Sequence, residues 1–161
     1  DPAVLDVGCG DGARTLANLP DGSIGVDISR RGLELAAETV PGARLLQAEM
    51  RSLPLRDGAV DAITAYHAVF HVPRSDHPAV YREFTRVLRP GGRLLMTLPS
   101  GRYATVREGW MCGRMLFSAP WRDATLDQLA SAGFVNVRTE TMSDSPGSAA
   151  EFVLADLASF A

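Results

Sequence analysis

The chain has 161 residues, of which 46% are hydrophobic and 22% are charged. A chain of this length is expected to fold as one domain that buries roughly two-thirds of its unfolded surface. The formal net charge of -3 and the pI near 5.6 disfavour a nucleic-acid-binding protein, which usually needs a basic face. Four arginines could form a local basic strip, but at helical spacing they are more typical of a solvated helix face; they are Arg82, Arg86, Arg89 and Arg93.

The two cysteines, Cys9 and Cys112, form neither a disulfide framework nor a metal-ligand pattern. Cys9 is expected to be a small buried hydrophobic residue rather than a nucleophile. No apolar run approaches the roughly 20 residues that cross a bilayer, and no basic and then apolar leader opens the sequence. We therefore predict a cytoplasmic protein without a membrane span, a bound metal or a nucleic-acid partner.

Short apolar runs alternate with longer amphipathic runs, a pattern typical of an α/β fold. The predicted strands are the hydrophobic runs 3–7, 23–27, 43–48, 60–66 and 92–98. Helices are predicted at 13–19, 30–40 and 78–88, with Ser29 and either Ser75 or Asp76 as N-caps and the sequence PGG at 90–92 as the end of the third helix. Right-handed crossovers make this sheet parallel and doubly wound.

The pattern changes after residue 98. Residues 100–121 carry no strong period, so this segment is predicted to be partly helical or to form a lid over a site. A further helix is predicted at 123–132, ending at Gly133. Two closing strands at 134–139 and 152–155 are expected to pair with each other across a surface loop at 143–148.

The sequence VLDVGCGDG at 4–12 places three glycines directly after the first predicted strand. Such a turn lets the backbone approach a ligand closely and can direct unpaired N–H groups at an anionic group. Gly8, Gly10 and Ala13 also fit the G-x-G-x-x-G/A pattern of dinucleotide-binding proteins. The glycines alone therefore allow NAD or another nucleotide-like ligand.

Three acidic residues narrow the choice of ligand. Asp27 ends the second predicted strand, where a carboxylate can accept from both hydroxyls of a ribose. Asp6 lies within the first strand, where it can help to balance the ammonium of an amino-acid tail. Glu49 follows the third strand, where it can accept from an adenine amine. Together they favour a ligand with adenine, ribose and a charged methionine arm over NAD.

Five ordered segments carry a resemblance to a known family: VLDVGCGDG, GVDIS at 25–29, AEMRSLPLRDGAVDAI at 48–63, RVLRPGGRLLMTLP at 86–99 and LASAGFVNVR at 129–138. They resemble motifs of the class I S-adenosylmethionine-dependent methyltransferases, in the small-molecule group that includes the ubiquinone-biosynthesis methyltransferases. The resemblance spans nearly the whole chain. It implies an α/β, doubly wound, mostly parallel seven-stranded sheet with an antiparallel last strand in a three-layer sandwich.

The resemblance also implies S-adenosyl-L-methionine as the cofactor. It assigns cofactor-binding roles to Asp6, Gly8, Gly10, Asp27, Ile28, Glu49, Met50, Ala65 and Tyr66. The glycines would contact the methionine arm, Ile28 and Met50 would lie against adenine, and a backbone carbonyl of Ala65 or Tyr66 would accept from the ammonium. Structural alternatives stay open for three positions: Asp6 bonding to its own turn, Asp27 as the N-cap of the next helix, and Met50 as core packing.

Two features depart from the family pattern. The first strand begins almost at residue 1, whereas family members usually carry preceding helices that help to close the pocket. We therefore expect a single domain over 1–161 without these lid helices. No Asn/Asp-Pro-Pro-Tyr sequence and no Pro-Cys pair follows the fourth strand, which disfavours methylation of nucleic-acid amines and pyrimidine carbons. YHAVFH at 66–71 lies there instead, and a small-molecule acceptor is expected.

Methyl transfer from a sulfonium is an in-line displacement that depends mainly on orientation, and a general base is needed only if the nucleophile arrives protonated. The predicted catalytic residues are His67, which closely follows the fourth strand, and His71. A hydrogen-bonded structural histidine is the alternative for His67. His77 is expected to be a surface or cap residue.

A hydrophobic wall for the acceptor is predicted from Trp110, Met115, Phe117 and Trp121, with packing under a lid as the alternative. Arg122 is expected to be a solvated charge, although it could meet an acidic acceptor. Three functions remain possible from the sequence. They are methyl transfer to a small molecule, cofactor binding without catalysis, and NAD-dependent oxidoreduction.

Overall fold

The computed structural model describes residues 2–110, 113–143 and 149–159. In chain order its elements are β1 (Val4–Val7), β2 (Ile24–Asp27), α1 (Arg30–Thr39), β3 (Arg44–Gln47), β4 (Val60–Ala65), α2 (His77–Val87), β5 (Leu88–Leu98), β6 (Tyr103–Trp110), β7 (Gly113–Ala119), α3 (Arg122–Ala132), β8 (Phe134–Ser143) and β9 (Ala149–Leu157). Short 3-10 turns occur at Leu16–Asn18 and Val69–His71.

Seven strands form one sheet in the order β3-β2-β1-β4-β5-β9-β8. The neighbours among β1 to β5 pair in parallel, whereas β9 pairs antiparallel with both β5 and β8. The predicted doubly wound, mostly parallel sheet with an antiparallel last strand is therefore confirmed. The predicted pairing of the two closing strands is confirmed as well, with both strands longer than expected.

Helices cover both faces of the sheet. On one face, α1 contributes Leu33 to a small buried cluster with Cys9 and Leu16. On the other face, α2 and α3 contribute the fully buried residues Phe84 and Leu129 to the main core. Because side chains alternate across a strand, neighbouring residues of β1 belong to different faces. The result is the predicted three-layer arrangement.

The helix predicted at 13–19 is wrong. The structure has only the 3-10 turn Leu16–Asn18 there, with Asn18 N–H donating to the Thr15 carbonyl at 2.8 Å. Gly12, with φ of +78°, and Pro20 bound a segment too short to nucleate an α-helix. Asp11 also accepts from the Ala13 N–H at 3.1 Å, a local bond that competes with helix formation.

The segment predicted to be partly helical forms a β-hairpin instead. Strands β6 and β7 pair antiparallel in a separate two-stranded sheet. Residues with high strand propensity, such as Tyr103, Thr105 and Val106, begin β6, and they decide the local structure. Met111 and Cys112, between the two strands, lie outside the described residues.

The chain around α2 also departs from expectation. His77 is 1% exposed and not a surface residue, because its ring packs beside Tyr81 and its Nε2 atom hydrogen-bonds the Val72 carbonyl at 3.0 Å. Strand β5 begins at Leu88, so Pro90 and the glycines after it lie in the irregular start of a strand.

Three of the four arginines that could have formed a basic strip have acidic partners. Arg86 donates to Glu83 and Asp57, Arg89 binds Asp61, and Arg93 lies 3.8 Å from Asp156, as N–O distances. The guanidinium of Arg86 also donates to the Leu53 and Leu55 carbonyls and so ties α2 to the loop before β4. No helix in the described ranges is long and apolar enough to cross a membrane.

Candidate active site

A cavity of about 420 Å³ lies at the carboxyl edge of the parallel strands, which we call the first cavity. Six of the predicted cofactor residues line it, namely Gly8, Gly10, Asp27, Ile28, Glu49 and Met50. It is also lined by His67, Ala68, His71 and Met115. Ligands of open α/β sheets bind at this edge, where the strand order reverses, here between β1 and β4.

The glycine turn approaches the opposite wall of the first cavity directly. Gly8 has φ of +74°, and a Cβ atom added to it would lie 2.5 Å from the Ala68 Cβ atom. The prediction of unpaired N–H groups in this turn is wrong for Gly8 and Gly10. Gly8 N–H donates to the Val26 carbonyl at 2.7 Å, and Gly10 N–H donates to Asp27 Oδ2 at 2.9 Å. The turn therefore serves a ligand by close backbone approach.

Asp27 joins the glycine turn to the start of α1. Its Oδ2 atom accepts from Gly10 N–H, and its Oδ1 atom accepts from Ser29 N–H at 2.7 Å. The N-cap of α1 is Ser29, as predicted, with its Oγ atom accepting from Gly32 N–H at 3.0 Å. Each carboxylate oxygen has a second lone pair, so Asp27 can still accept from ribose hydroxyls.

Asp6 lies beneath the turn and is 1% exposed. Thr64 donates to its Oδ1 atom at 2.7 Å, and its Oδ2 atom is buried without a hydrogen-bond partner among the described residues. Burial raises the pKa of Asp6 to about 6, and the nearby charge of Asp27 adds to this effect, while the Thr64 bond opposes it. Asp6 does not line the first cavity, although Val7 and Gly8 do.

The predicted adenine side of the first cavity combines apolar and charged groups. Ile28 is 68% exposed and lines the cavity, so its side chain offers an apolar surface there. Met50 is partly buried against the main core, so it both packs and lines the cavity. Glu49 is ion-paired with Arg51, which also lines the cavity.

Ala65 and Tyr66 do not line the first cavity, although the next two residues do. Ala65 is buried in β4 opposite Met96 of β5. The Tyr66 ring stacks on Phe152 with centroids 5.9 Å apart.

His67 occupies a strained position directly after β4. Its φ of +47° is uncommon for a residue other than glycine, and its N–H donates to Thr97 Oγ1 at 2.9 Å. Burial lowers the pKa of the imidazole, and the positive charges of Arg14 and His71 lower it further. The side chain is therefore neutral at pH 7 and can accept a proton.

A second cavity of about 490 Å³ adjoins His67 from the other side. It is lined by His67, Phe70, Thr97, Leu98, Pro99, Ser100, Tyr103, Thr105, Arg107, Phe117, Ala149, Ala150 and Glu151. His67 belongs to the walls of both cavities. A side chain with a neutral imidazole, on a backbone of positive φ, thus contributes to both walls.

The predicted acceptor wall divides between the two cavities. Met115 lines the first and Phe117 the second. Trp121 is 64% exposed at the N-cap of α3 and lines neither cavity, so its place in the acceptor wall stays a prediction without a supporting contact. The side chain of Trp110 lies outside the described part of the chain.

His71 has a structural hydrogen bond. Its Nδ1 atom lies 2.8 Å from the Leu116 carbonyl, so Nδ1 carries the proton and donates. The ring contacts Phe117 edge-on with centroids 4.9 Å apart. These contacts fix the hairpin against the 3-10 turn after β4.

Arg122 is not the solvated charge that the sequence favours. Its Nη2 and Nε atoms donate to the two carboxylate oxygens of Glu151 at 2.6 and 2.8 Å. Glu151 lines the second cavity, so Arg122 supports this wall from behind.

Sequence reasoning missed Arg51 in the first cavity and Phe70, Tyr103 and Glu151 in the second. Alternation at Tyr103, Thr105 and Arg107 was the available signal for a strand face along the second cavity. Glu151 carried no comparable signal, because its position depends on how β9 pairs with β5.

The fold and the first cavity together define a nucleotide-type cofactor site at the carboxyl edge of a doubly wound sheet. The family described as "Methyltransferase domain" matches residues 5–96. The chain belongs to this family, among the class I S-adenosylmethionine-dependent methyltransferases. Its cofactor is accordingly S-adenosyl-L-methionine.

Curated relatives agree with this family. The chain is 41% identical to methyltransferase GfsG of Streptomyces halstedii over 56% of this chain and 35% of the relative. It is 31% identical to a probable S-adenosylmethionine-dependent methyltransferase of Mycobacterium tuberculosis over 83% and 49% of the two chains. It is also 30% identical to demethylmenaquinone methyltransferase of Symbiobacterium thermophilum over 82% and 68%. The chain thus spans about a third to a half of the first two relatives.

Solved structures show the same fold at low identity. An S-adenosylmethionine-dependent methyltransferase from Methanosarcina mazei has a TM-score of 0.79 at 20% identity, covering 99% of this chain and 94% of that one. The [4+2]-cyclase SpnF has a TM-score of 0.75 at 20% identity, covering 99% and 76%. A fold shared with a cyclase leaves the reaction to be argued from the site.

The residues of the first cavity fit this cofactor. Asp6 lies behind the wall of this cavity, and its buried Oδ2, without a partner among the described residues, places negative charge beneath the glycine turn, where it would favour the ammonium of a methionine arm. Gly8 leaves the space that a side chain would fill, and the exposed Ile28 provides an apolar surface for a base.

Proposed function

We propose that residues 1–161 act as one domain that transfers a methyl group from S-adenosyl-L-methionine to a small-molecule acceptor in the second cavity. The observation that carries this proposal is the position of His67 in the walls of both cavities. An acceptor in the second cavity would meet the methionine end of the first cavity beside this side chain.

The cofactor supplies a methyl group on a sulfonium, which is already an activated leaving group. The chain contributes orientation, the main requirement of an in-line displacement. Asp27 would hold the ribose, Glu49 the adenine amine and Asp6 the ammonium, with the carbonyl of Ala65 or Tyr66 as a second partner for the ammonium. These contacts would direct the reactive end toward the second cavity.

His67 would remove the proton from a hydroxyl or amine acceptor. Its backbone N–H is fixed by Thr97, and its lowered pKa keeps the ring neutral at pH 7. His71 suits this role less, because its Nδ1 proton is committed to the Leu116 carbonyl.

The second cavity favours a flat, largely apolar acceptor. The rings of Phe70 and Phe117 stack with centroids 5.9 Å apart, and Tyr103 lies on the same wall. Aromatic walls of this kind bind apolar ring systems, while Thr97 and Glu151 provide polar contacts. Demethylmenaquinone, the compound in the name of one relative, is the first acceptor to test, in its reduced hydroquinone form, which carries a hydroxyl that His67 could deprotonate and a nucleophilic ring carbon.

A transfer assay with labelled S-adenosyl-L-methionine and a panel of small aromatic acceptors tests the proposal. Because a protonated His67 cannot accept a proton, the wild-type rate should fall as the pH drops through a pKa below 6.5. His67→Gln should lower kcat and remove this acidic limb without weakening S-adenosylhomocysteine binding. Transfer by His67→Gln at the wild-type rate would contradict the role of His67.

Cofactor binding without turnover on any acceptor would instead support the binding-only alternative. In that case wild-type protein would bind S-adenosylhomocysteine in a calorimeter and yet leave every member of the panel unmethylated.

A further inference from the structure

Three charged side chains meet at the rim of the first cavity. The Arg51 guanidinium donates to a carboxylate oxygen of Glu49 through Nε and to one of Asp76 through Nη1. Arg51 and Glu49 line the cavity, and so do Val72 and Pro73, which open the loop that ends at Asp76. This group, the rim triad, links the segment after β3 to the start of α2.

Asp76 pairs with Arg51 from an unusual position in the chain. It is the N-cap residue of α2, where aspartate commonly accepts from a backbone N–H of the first turn. Its side chain makes no such cap bond and accepts instead from Arg51 and from Ser75 Oγ, the latter at 3.1 Å. The helix therefore lacks a side-chain cap while this carboxylate faces the rim.

The rim triad also constrains Glu49. Arg51 engages Oε1 of Glu49, so Oε2 remains the acceptor that a ligand can use. A glutamate has one more rotatable bond than an aspartate, and holding it in one orientation requires a partner. Arg51 is that partner.

We propose that Arg51 is a positioning residue that fixes Glu49 Oε2 toward the adenine amine and couples this end of the cavity to α2. The inference rests on the assignment of the first cavity to S-adenosyl-L-methionine. It makes Arg51 a determinant of the preference for adenine over a base that carries an oxo group at the same place.

A solvated surface cluster is the competing explanation. The side chains of Arg51, Glu49 and Asp76 are 41%, 36% and 31% exposed, and ion pairs of such exposure often contribute little. That explanation predicts no change in base preference when the arginine is removed. Base preference therefore separates the two explanations, whereas overall stability does not.

The experiment is calorimetric titration with S-adenosylhomocysteine and with S-inosylhomocysteine, which carries an oxo group in place of the adenine amine. Arg51→Gln should weaken binding of S-adenosylhomocysteine roughly three- to tenfold and change binding of the inosine analogue much less. Asp76→Asn should lower the preference in the same direction, since asparagine breaks the ion pair and remains a good N-cap. Arg56→Gln makes the same charge change at an exposed arginine outside the cavity and should leave both affinities unchanged.

Equal preference in wild type and Arg51→Gln, at an unchanged thermal midpoint, would overturn the inference and leave the cofactor site intact. Equal weakening of both ligands would overturn it too, because that result indicates a general effect of charge. If Arg51→Gln fails to fold, Asp76→Asn decides by the same comparison. Failure of the wild-type chain to bind S-adenosylhomocysteine would refute the cofactor site itself.

Discussion

Asp6 shows how a single residue can cost stability in the free protein and still suit a ligand. One carboxylate oxygen accepts from Thr64, and the other is buried without a partner among the described residues. Its pKa of about 6, raised mainly by burial, means that it is ionised at neutral pH in an unfavourable environment. A cation bound beside it would offset this cost.

Asp6→Asn is expected to stabilise the ligand-free protein at pH 7.5 and to weaken S-adenosylhomocysteine binding. The pKa of Asp6 rises on folding from 3.8 to about 6, so the wild-type protein loses stability as the pH rises through this window. The loss is on the order of 2–3 kcal/mol. Asparagine does not titrate and can still accept from Thr64. Urea unfolding in buffers from about pH 4 to about pH 8 measures the difference in the free energy of unfolding between the two proteins.

Identical pH dependence of unfolding in the two proteins, together with equal cofactor affinity, would contradict this account of Asp6. Asp11→Asn, an exposed aspartate of the same turn, is the matched control for the loss of one negative charge.

Site residues that lie at the ends of strands could be predicted from the sequence. Gly8 follows one hydrophobic run and Asp27 ends another, and the carboxyl edge of a parallel sheet brings such positions together. Arg51 could not be predicted, because its role depends on Asp76, which is 25 positions away along the chain. His77 was misjudged, since a polar residue beside a helix start gives no sign of burial.

At the scale of elements, the hairpin of β6 and β7 contributes side chains to the walls of both cavities. The hydrogen bonds between described residues that hold it to the segment after β4 include His71 to the Leu116 carbonyl, Arg74 N–H to Ser118 Oγ at 2.9 Å, and Arg74 Nη1 to the Tyr103 carbonyl at 3.3 Å. The sequence concealed this hairpin because its apolar residues do not alternate strictly: residues 115–117 are a continuous apolar run, and β6 contains the adjacent charges Arg107 and Glu108. The lid predicted for this segment stays a proposal.

His71→Phe is expected to loosen the hairpin while keeping a ring against Phe117. Loss of one hydrogen bond to the Leu116 carbonyl should cost about 1 kcal/mol, which corresponds to roughly fivefold more frequent local opening. Hydrogen–deuterium exchange over 103–119 measures this, with Ala104→Ser, at an exposed position of the same hairpin, as the control for a surface change. Unchanged exchange in His71→Phe would show that this bond does not hold the hairpin.

At the scale of the whole molecule, the parallel order of β1 to β5 could be predicted because right-handed crossovers leave few topologies. The position of β9 between β5 and β8 could not be predicted, because the pairing of β8 with β9 is compatible with either of these two strands lying beside β5. This position matters for the site, because it brings Glu151 to the second cavity.

Ligand binding should stabilise the whole domain. S-adenosylhomocysteine at about 100 times its Kd should add about 2.7 kcal/mol to the free energy of unfolding, and so raise Tm by roughly 5–10 °C. NAD(H) at the same concentration should leave Tm unchanged, which tests the oxidoreductase alternative directly. Differential scanning calorimetry measures Tm with each ligand. Gly8→Ala, whose added Cβ would meet Ala68, should abolish the rise in Tm caused by S-adenosylhomocysteine.

Met115 and Phe117 lie two residues apart on β7, one in the wall of each cavity. Because side chains alternate along a strand, shifting β7 by one residue in its pairing with β6 would turn both of them away from their cavities at once. Substitution at Phe117 or at its partner Thr105 would act directly on the second cavity, whose wall contains both side chains. We therefore expect changes in hairpin length that keep both walls intact to come in steps of two residues.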